Sequence, residues 1–134
     1  MIKVFLGGTY NNSTWRDELI NLFVGVGYFN PVVENWTPEC MEEELKQRKE
    51  CDFCLYVITP EMTGVYSIAE VVDDSNKQPL KTIFCPLKKY NGIDFSEGQM
   101  KSLDSVGKMI VRNGGTYLHS LENVAAFLNF RSDI

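Results

Sequence analysis

Three short stretches of this chain hold residues whose types and spacing suit chemistry on a small polar ligand. In Gly7-Gly8-Thr9-Tyr10-Asn11-Asn12, two glycines that let backbone approach a ligand precede hydroxyl and amide side chains and a helix start. Helix starts favour anions, so this turn suits a phosphate or a sugar hydroxyl. It is neither G-x-G-x-x-G nor G-x-x-x-x-G-K-[ST], so the dinucleotide and triphosphate fingerprints are missing and no cofactor is expected. The second stretch, Thr59 to Glu70, brings Glu70 onto a helix, off the apolar stripe of Val65, Ile68, Ala69 and Val72 and beside Tyr66 and Ser67. The third holds five glutamates between Glu39 and Glu50, of which Glu44 is one; by pattern alone they read as a solvated face.

Other polar residues read as structural. Asp52 heads an apolar run, where a carboxylate can cap or anchor neighbouring backbone. Trp15 lies on a packed helical stripe, while Arg16 projects away from it near the Gly-Gly turn and is the Arg close to that turn. His119, the single histidine, is remote, and no Ser-His-Asp or Cys-His set can be assembled. Cys51 and Cys54 spell C-x-x-C at the start of a strand rather than a helix, against a redox pair. With no second pair, no metal site is expected, and the 4 cysteines read as reduced thiols.

The elements that must position these residues alternate. Apolar runs at Ile2–Leu6, Tyr28–Val33, Phe53–Ile58, Leu80–Phe84 and Thr116–Leu118 read as strands. Between them, helical spacing joins Trp15, Leu19, Leu22, Phe23 and Val26, closed by Gly27. Pro38 opens a Glu-rich surface helix to about Glu50, with Met41, Leu45 and Arg48 on its packed side. Further helices span 65–76, the Met100, Leu103, Val106 and Ile110 stripe, and 121–130 with Ser120 as N-cap. Pro86 to Phe95 reads as a loop.

This order predicts an α/β three-layer sandwich: a five-stranded parallel sheet of flavodoxin/Rossmann-like type, strand order 2-1-3-4-5, in one domain over 1–134. Ligands of such sheets bind beyond the carboxyl ends of the strands where the order reverses, here between strands one and three. The Gly7 to Asn12 turn and the Thr59 to Glu70 segment both fall on that rim.

Composition narrows the ligand. The 134 residues carry 13 Lys plus Arg against 18 Asp plus Glu, a formal charge of -5 with no basic run, which argues against nucleic acid. No apolar run approaches the roughly 20 residues of a membrane span, and no leader pattern opens the chain, so no membrane is expected and a cytoplasmic location is.

The ordered pieces resemble the nucleoside 2-deoxyribosyltransferase-like family over roughly 2–87. They are Val4-Phe5-Leu6-Gly7-Gly8-Thr9, Trp15-Arg16, Asn30-Pro31, Cys51-Asp52-Phe53-Cys54-Leu55, Thr63-Gly64-Val65-Tyr66-Ser67-Ile68-Ala69-Glu70 and Lys81-Thr82-Ile83-Phe84. The resemblance implies cleavage of the N-glycosidic bond of a 2′-deoxynucleoside or its monophosphate, with transfer of the sugar to a base or to water. It implies Glu70 as the nucleophile at C1′. It puts Glu44 where the family has an Asp proton donor, eight positions before Asp52 and one methylene longer. Gly7, Gly8, Thr9, Arg16, Asp52, Thr63, Gly64 and Tyr66 are the expected substrate contacts, with Tyr66 narrowing the sugar pocket. Val71 and Val72 stand where relatives commonly carry Gly. Relatives assemble as oligomers, so a homo-oligomer is expected, with the C-terminal third as contact. Two further readings are a non-catalytic module binding a nucleotide or an ADP-ribose-like ligand in the same crevice, and a purely structural protein.

Overall fold

The computed structural model describes residues 1–11 and 13–132; Asn12, the last residue of the predicted turn, lies outside them. The elements in chain order are β1 (Lys3–Gly8), α1 (Trp15–Leu22), β2 (Gly27–Phe29), α2 (Pro38–Glu50), β3 (Phe53–Ile58) and α3 (Tyr66–Lys77). A 3-10 turn (Pro79–Lys81) leads to β4 (Thr82–Pro86), β5 (Lys89–Tyr90), β6 (Ile93–Asp94), α4 (Glu97–Arg112), β7 (Thr116–Tyr117) and α5 (Leu121–Ser132).

The main sheet is parallel with order β2-β1-β3-β4-β7, the predicted 2-1-3-4-5 once the β5/β6 hairpin is left out of the count. Strand periodicity of two divides its side chains between two cores. Val4, Leu6, Leu55, Val57, Ile83 and Cys85 pack with Trp15 and Leu19 of α1 and Leu121, Val124 and Leu128 of α5. The alternate residues Phe5, Cys54, Tyr56, Ile58 and Phe84 pack with Val71 of α3 and Leu103 and Ile110 of α4. Helices therefore cover both faces, which is the three-layer arrangement. Among the described residues no helix is long and apolar enough to cross a membrane.

Several boundaries differ from the periodicity. β1 runs through Gly7 and Gly8 because both pair with β3, at Tyr56 and Val57. α1 ends at Leu22, where the Phe23 N–H closes on Ile20; Gly25 takes φ +71, and Gly27 opens β2 instead of closing the helix. β2 is only three residues long and stops before Pro31. Leu80 belongs to the 3-10 turn and is 85% exposed, so β4 begins at Thr82. The expected loop at 86–95 contains the β5/β6 hairpin, turned by Asn91 and Gly92 with φ +53 and +76, a primed turn. On α2, Leu45 is exposed while Gln47 and Arg48 are buried. The Asn123 N–H donates to Ser120 Oγ, which caps α5 as read from the sequence. The four cysteines are unbridged.

Candidate active site

β1 is where the chain reverses, with α1 crossing on one face and α2 and α3 on the other. Its carboxyl end, paired with β3, forms the floor of a cleft. Gly8 adopts φ +120, and a Cβ there would collide with the Val57 carbonyl oxygen, so only glycine fits. A Cβ on Gly7 would press on the Tyr56 ring at 2.7 Å. The turn that follows is stapled on all sides. The Thr9 N–H donates to the Val57 carbonyl at 2.9 Å, and Thr9 Oγ1 accepts from the Thr59 N–H at 2.8 Å. Trp15 Nε1 donates to the Thr9 carbonyl at 2.9 Å.

Arg16 completes the staple. Its Nε donates to the Leu6 carbonyl and Nη1 to the Thr9 carbonyl, both at 2.9 Å, and Nη2 to Gly8 at 3.3 Å. Burial lowers its pKa to about 10, against the attraction of Tyr10, Glu44 and Asp17, so it stays charged at neutral pH. The side chain expected to project from the packed stripe is thus folded under the turn, because the carbonyls of a tight turn need donors.

The opposite wall is built by α2 and α3. Arg48 is buried between them. Its Nη2 donates to Asp74 Oδ1 at 2.8 Å and reaches Asp73 at 3.4 Å, Nε reaches Asp74 Oδ2 at 3.4 Å, and Nη1 lies 3.5 Å from Glu70 Oε2. The Tyr56 hydroxyl donates to Asp74 from the floor of the sheet. Spacing explains the set: Glu70 and Asp74 are one helical turn apart on α3, so one guanidinium can meet both. The Glu70 side chain is 15% exposed. Burial raises its pKa to about 7; Arg48 pulls it down, while Glu44 and Asp74 push it up. Burial also raises Glu44, against the pull of Arg48 and Arg16.

The cleft between the walls has a volume of about 260 Å³ and is lined by Phe5, Gly7, Gly8, Arg16, Met41, Glu44, Ser67 and Glu70, with Tyr10, Pro31, Trp36 and Tyr66 also present. Trp36, Tyr66 and Tyr10 are 58%, 64% and 50% exposed, so their rings stand at the mouth, available for stacking on a planar group. Tyr10 also ties the chain after β2 to the turn, its hydroxyl donating to the Val33 carbonyl at 2.7 Å. A second compartment of about 190 Å³ adjoins the first, sharing Gly8, Tyr10, Tyr66 and Ser67 and adding Thr9, Asn11, Met62, Thr63 and Gly64. It carries hydroxyls and the amino end of α3. Asn11 Nδ2 is engaged there, donating to the Glu61 carbonyl at 2.7 Å and to Thr63 Oγ1 at 3.0 Å.

Of the residues expected from the sequence, Gly7, Gly8, Arg16, Glu44, Tyr66 and Glu70 meet in the first compartment, and Thr9, Thr63 and Gly64 in the second. Tyr66 lines both, at the rim. Asp52 is not part of the cleft. It precedes β3 at the amino edge of the sheet, where its Oδ2 accepts from the Lys3 N–H at 2.8 Å, the backbone-anchoring role also read for it. The sequence did not reveal Asp74 and Tyr56, nor that Arg48 serves the site. One signal was present: a charged residue in line with Met41 on the packed side of α2 demands a buried counter-charge.

Two carboxyls, an aromatic mouth and a hydroxyl-lined annex fit a ligand with a planar base and a polar sugar. Comparison with individually curated proteins finds no match. The family described as nucleoside 2-deoxyribosyltransferase like matches residues 1–88, a span that takes in both walls of the cleft. The chain belongs to the nucleoside 2-deoxyribosyltransferase-like family.

Proposed function

We propose that this protein cleaves the N-glycosidic bond of a 2′-deoxynucleoside or its monophosphate and passes the deoxyribosyl group to another base or to water. A Glu70 Oε atom attacks C1′; the C1′–N bond breaks, its electron pair leaves with the base, and Glu44 gives the base a proton. In the second half an incoming base or water loses a proton to Glu44, attacks C1′ and frees the Glu70 carboxylate. An oxocarbenium-like centre needs a carboxylate on one side and proton donation on the other, and retaining chemistry needs the two carboxyls roughly 5 Å apart.

The observation that carries this reading is the pair Glu44 and Glu70 on one cleft, facing the Gly7-Gly8 turn. Burial raises both carboxyls, Glu70 to about 7, and the charge of Arg48 pulls each of them down. Self-association belongs to the same reading, with the C-terminal third beyond the family match as contact; light scattering on the purified protein decides it.

The test is incubation with each deoxynucleoside and deoxynucleoside monophosphate, following free base by chromatography, beside Glu70→Ala. Base release by the natural protein that falls at least about 10³-fold in the variant supports the assignment. Ligand-dependent thermal stabilisation with no base released identifies a binding module instead. Release that survives in Glu70→Ala refutes the nucleophile.

A further inference from the structure

The chemistry above needs an ionised Glu70 and a protonated Glu44, yet the Glu70 side chain is only 15% exposed. Something must oppose desolvation at Glu70. The surrounding charges are few. From α2 come Glu44 and Arg48, from α3 Asp73, Asp74 and the Tyr66 hydroxyl, from β3 Tyr56 through Asp74, and across the cleft Arg16 and Tyr10. Of the two cations, Arg16 makes three hydrogen bonds to backbone carbonyls, and only Arg48 forms an ion pair with a cleft carboxyl among the described residues.

We propose that Arg48 is a positioning residue that selects Glu70 as the ionised member of the pair, holding its Oε2 by one guanidinium edge while Asp74 anchors the rest of the group. The division of contacts supports this. Asp74 takes the short bond at 2.8 Å together with Nε, whereas Glu70 has a single longer contact at 3.5 Å. Arg48 forms no ion pair with Glu44, on which its charge acts without direct contact, so its ion pair favours Glu70 of the two. Glu70 is thus held ionised and aimed without being locked in a bidentate clamp, which would occupy both oxygens and blunt the nucleophile. Tyr56 fixes Asp74 in turn, and its ring lies under Gly7, so the anchor is tied to the cleft floor. The inference rests on the N-glycosidic reading for its purpose, but not for its test.

The test reads the Glu70 carboxyl directly, by carbon-13 NMR of protein labelled at the glutamate side-chain carboxyl, with the resonance assigned through Glu70→Gln. Arg48→Met raises the Glu70 midpoint by a unit or more, and base release near pH 7 falls about tenfold for each unit. Asp74→Asn moves the midpoint the opposite way, since it removes a neighbouring negative charge and lets the guanidinium close on Glu70. Arg48→Lys keeps the midpoint nearer the natural value than Met does. A residue with a merely structural role would lower stability and leave the midpoints in place, and that result overturns the proposal. Should Arg48→Met not fold, Asp74→Asn still decides: a midpoint that stays or rises overturns it. Midpoints that move as stated in a protein releasing no base would sink the N-glycosidic reading and leave the role of Arg48 standing.

Discussion

The two walls of the cleft are each built around a buried arginine, one turned toward dipoles and the other toward charges. Arg16 meets the carbonyls of Leu6, Gly8 and Thr9, neutral groups that fix its geometry but leave its charge uncancelled. Burial therefore lowers its pKa, to about 10. Arg48 is pulled down by burial too, but its bond to Asp74 and the charges of Asp74 and Glu70 overcome that pull and raise it. The same side chain thus serves as a scaffold pin on one wall and as an electrostatic device on the other. Partners decide which; residue type does not.

The largest effect should come from breaking the pin. Arg16→Met removes three hydrogen bonds and leaves acceptors in a buried turn, at a cost of about 2–4 kcal/mol in urea unfolding. Arg16→Lys should recover little of this, because an ammonium cannot reproduce the fixed fork that meets three carbonyls. Full recovery by lysine would mean that the charge, and not the geometry, holds the turn.

The opposite wall is sharpened by pH. Glu70 has its folded pKa raised to about 7 from an ordinary 4.5. Its ionisation therefore opposes folding: the penalty is absent below pH 4.5, grows as pH rises, and is complete above about 7. Glu70→Gln should leave stability unchanged at pH 4 and increase it at pH 8, by on the order of 1–3 kcal/mol. Equal stability of the two proteins at pH 8 would show that Arg48 already compensates the burial in full.

The smallest effect marks the limit of the site. Asp52, at the far edge of the sheet, anchors one backbone N–H, so Asp52→Ala should cost less than about 1 kcal/mol and leave the KM for any deoxynucleoside cleaved unchanged. A raised KM would place the substrate at the amino edge of the sheet, away from Glu70.

What the sequence told depended on how local each signal was. α2 and β3 were legible to the residue, because Pro38 sets a helix start and Phe53–Ile58 is a continuous apolar run suited to a strand covered on both faces. The hairpin carried a readable Asn91-Gly92 turn that the run of polar residues around it obscured. The α1 end differs from the periodicity because Val26 is buried, as a helical position would be, although it lies beyond the helix. In the site, Gly7, Gly8 and Glu70 followed from topology and Glu44 from the family resemblance. The partners of Arg16 and Arg48 did not, since contacts between elements leave no periodic trace. Arg16 reads as projecting away from the packed stripe because the stripe argument does not see a turn folding back beneath the helix.

The central claim is that the Glu70 carboxylate becomes bonded to the sugar. Rapid quenching of the protein with a deoxynucleoside that it cleaves, followed by peptide mass mapping, tests this most directly. The expected result is a deoxyribosyl increment on the peptide containing Glu70, lost in Glu70→Gln. Free base appearing while that peptide stays unmodified, or an increment on the peptide containing Glu44, would contradict it.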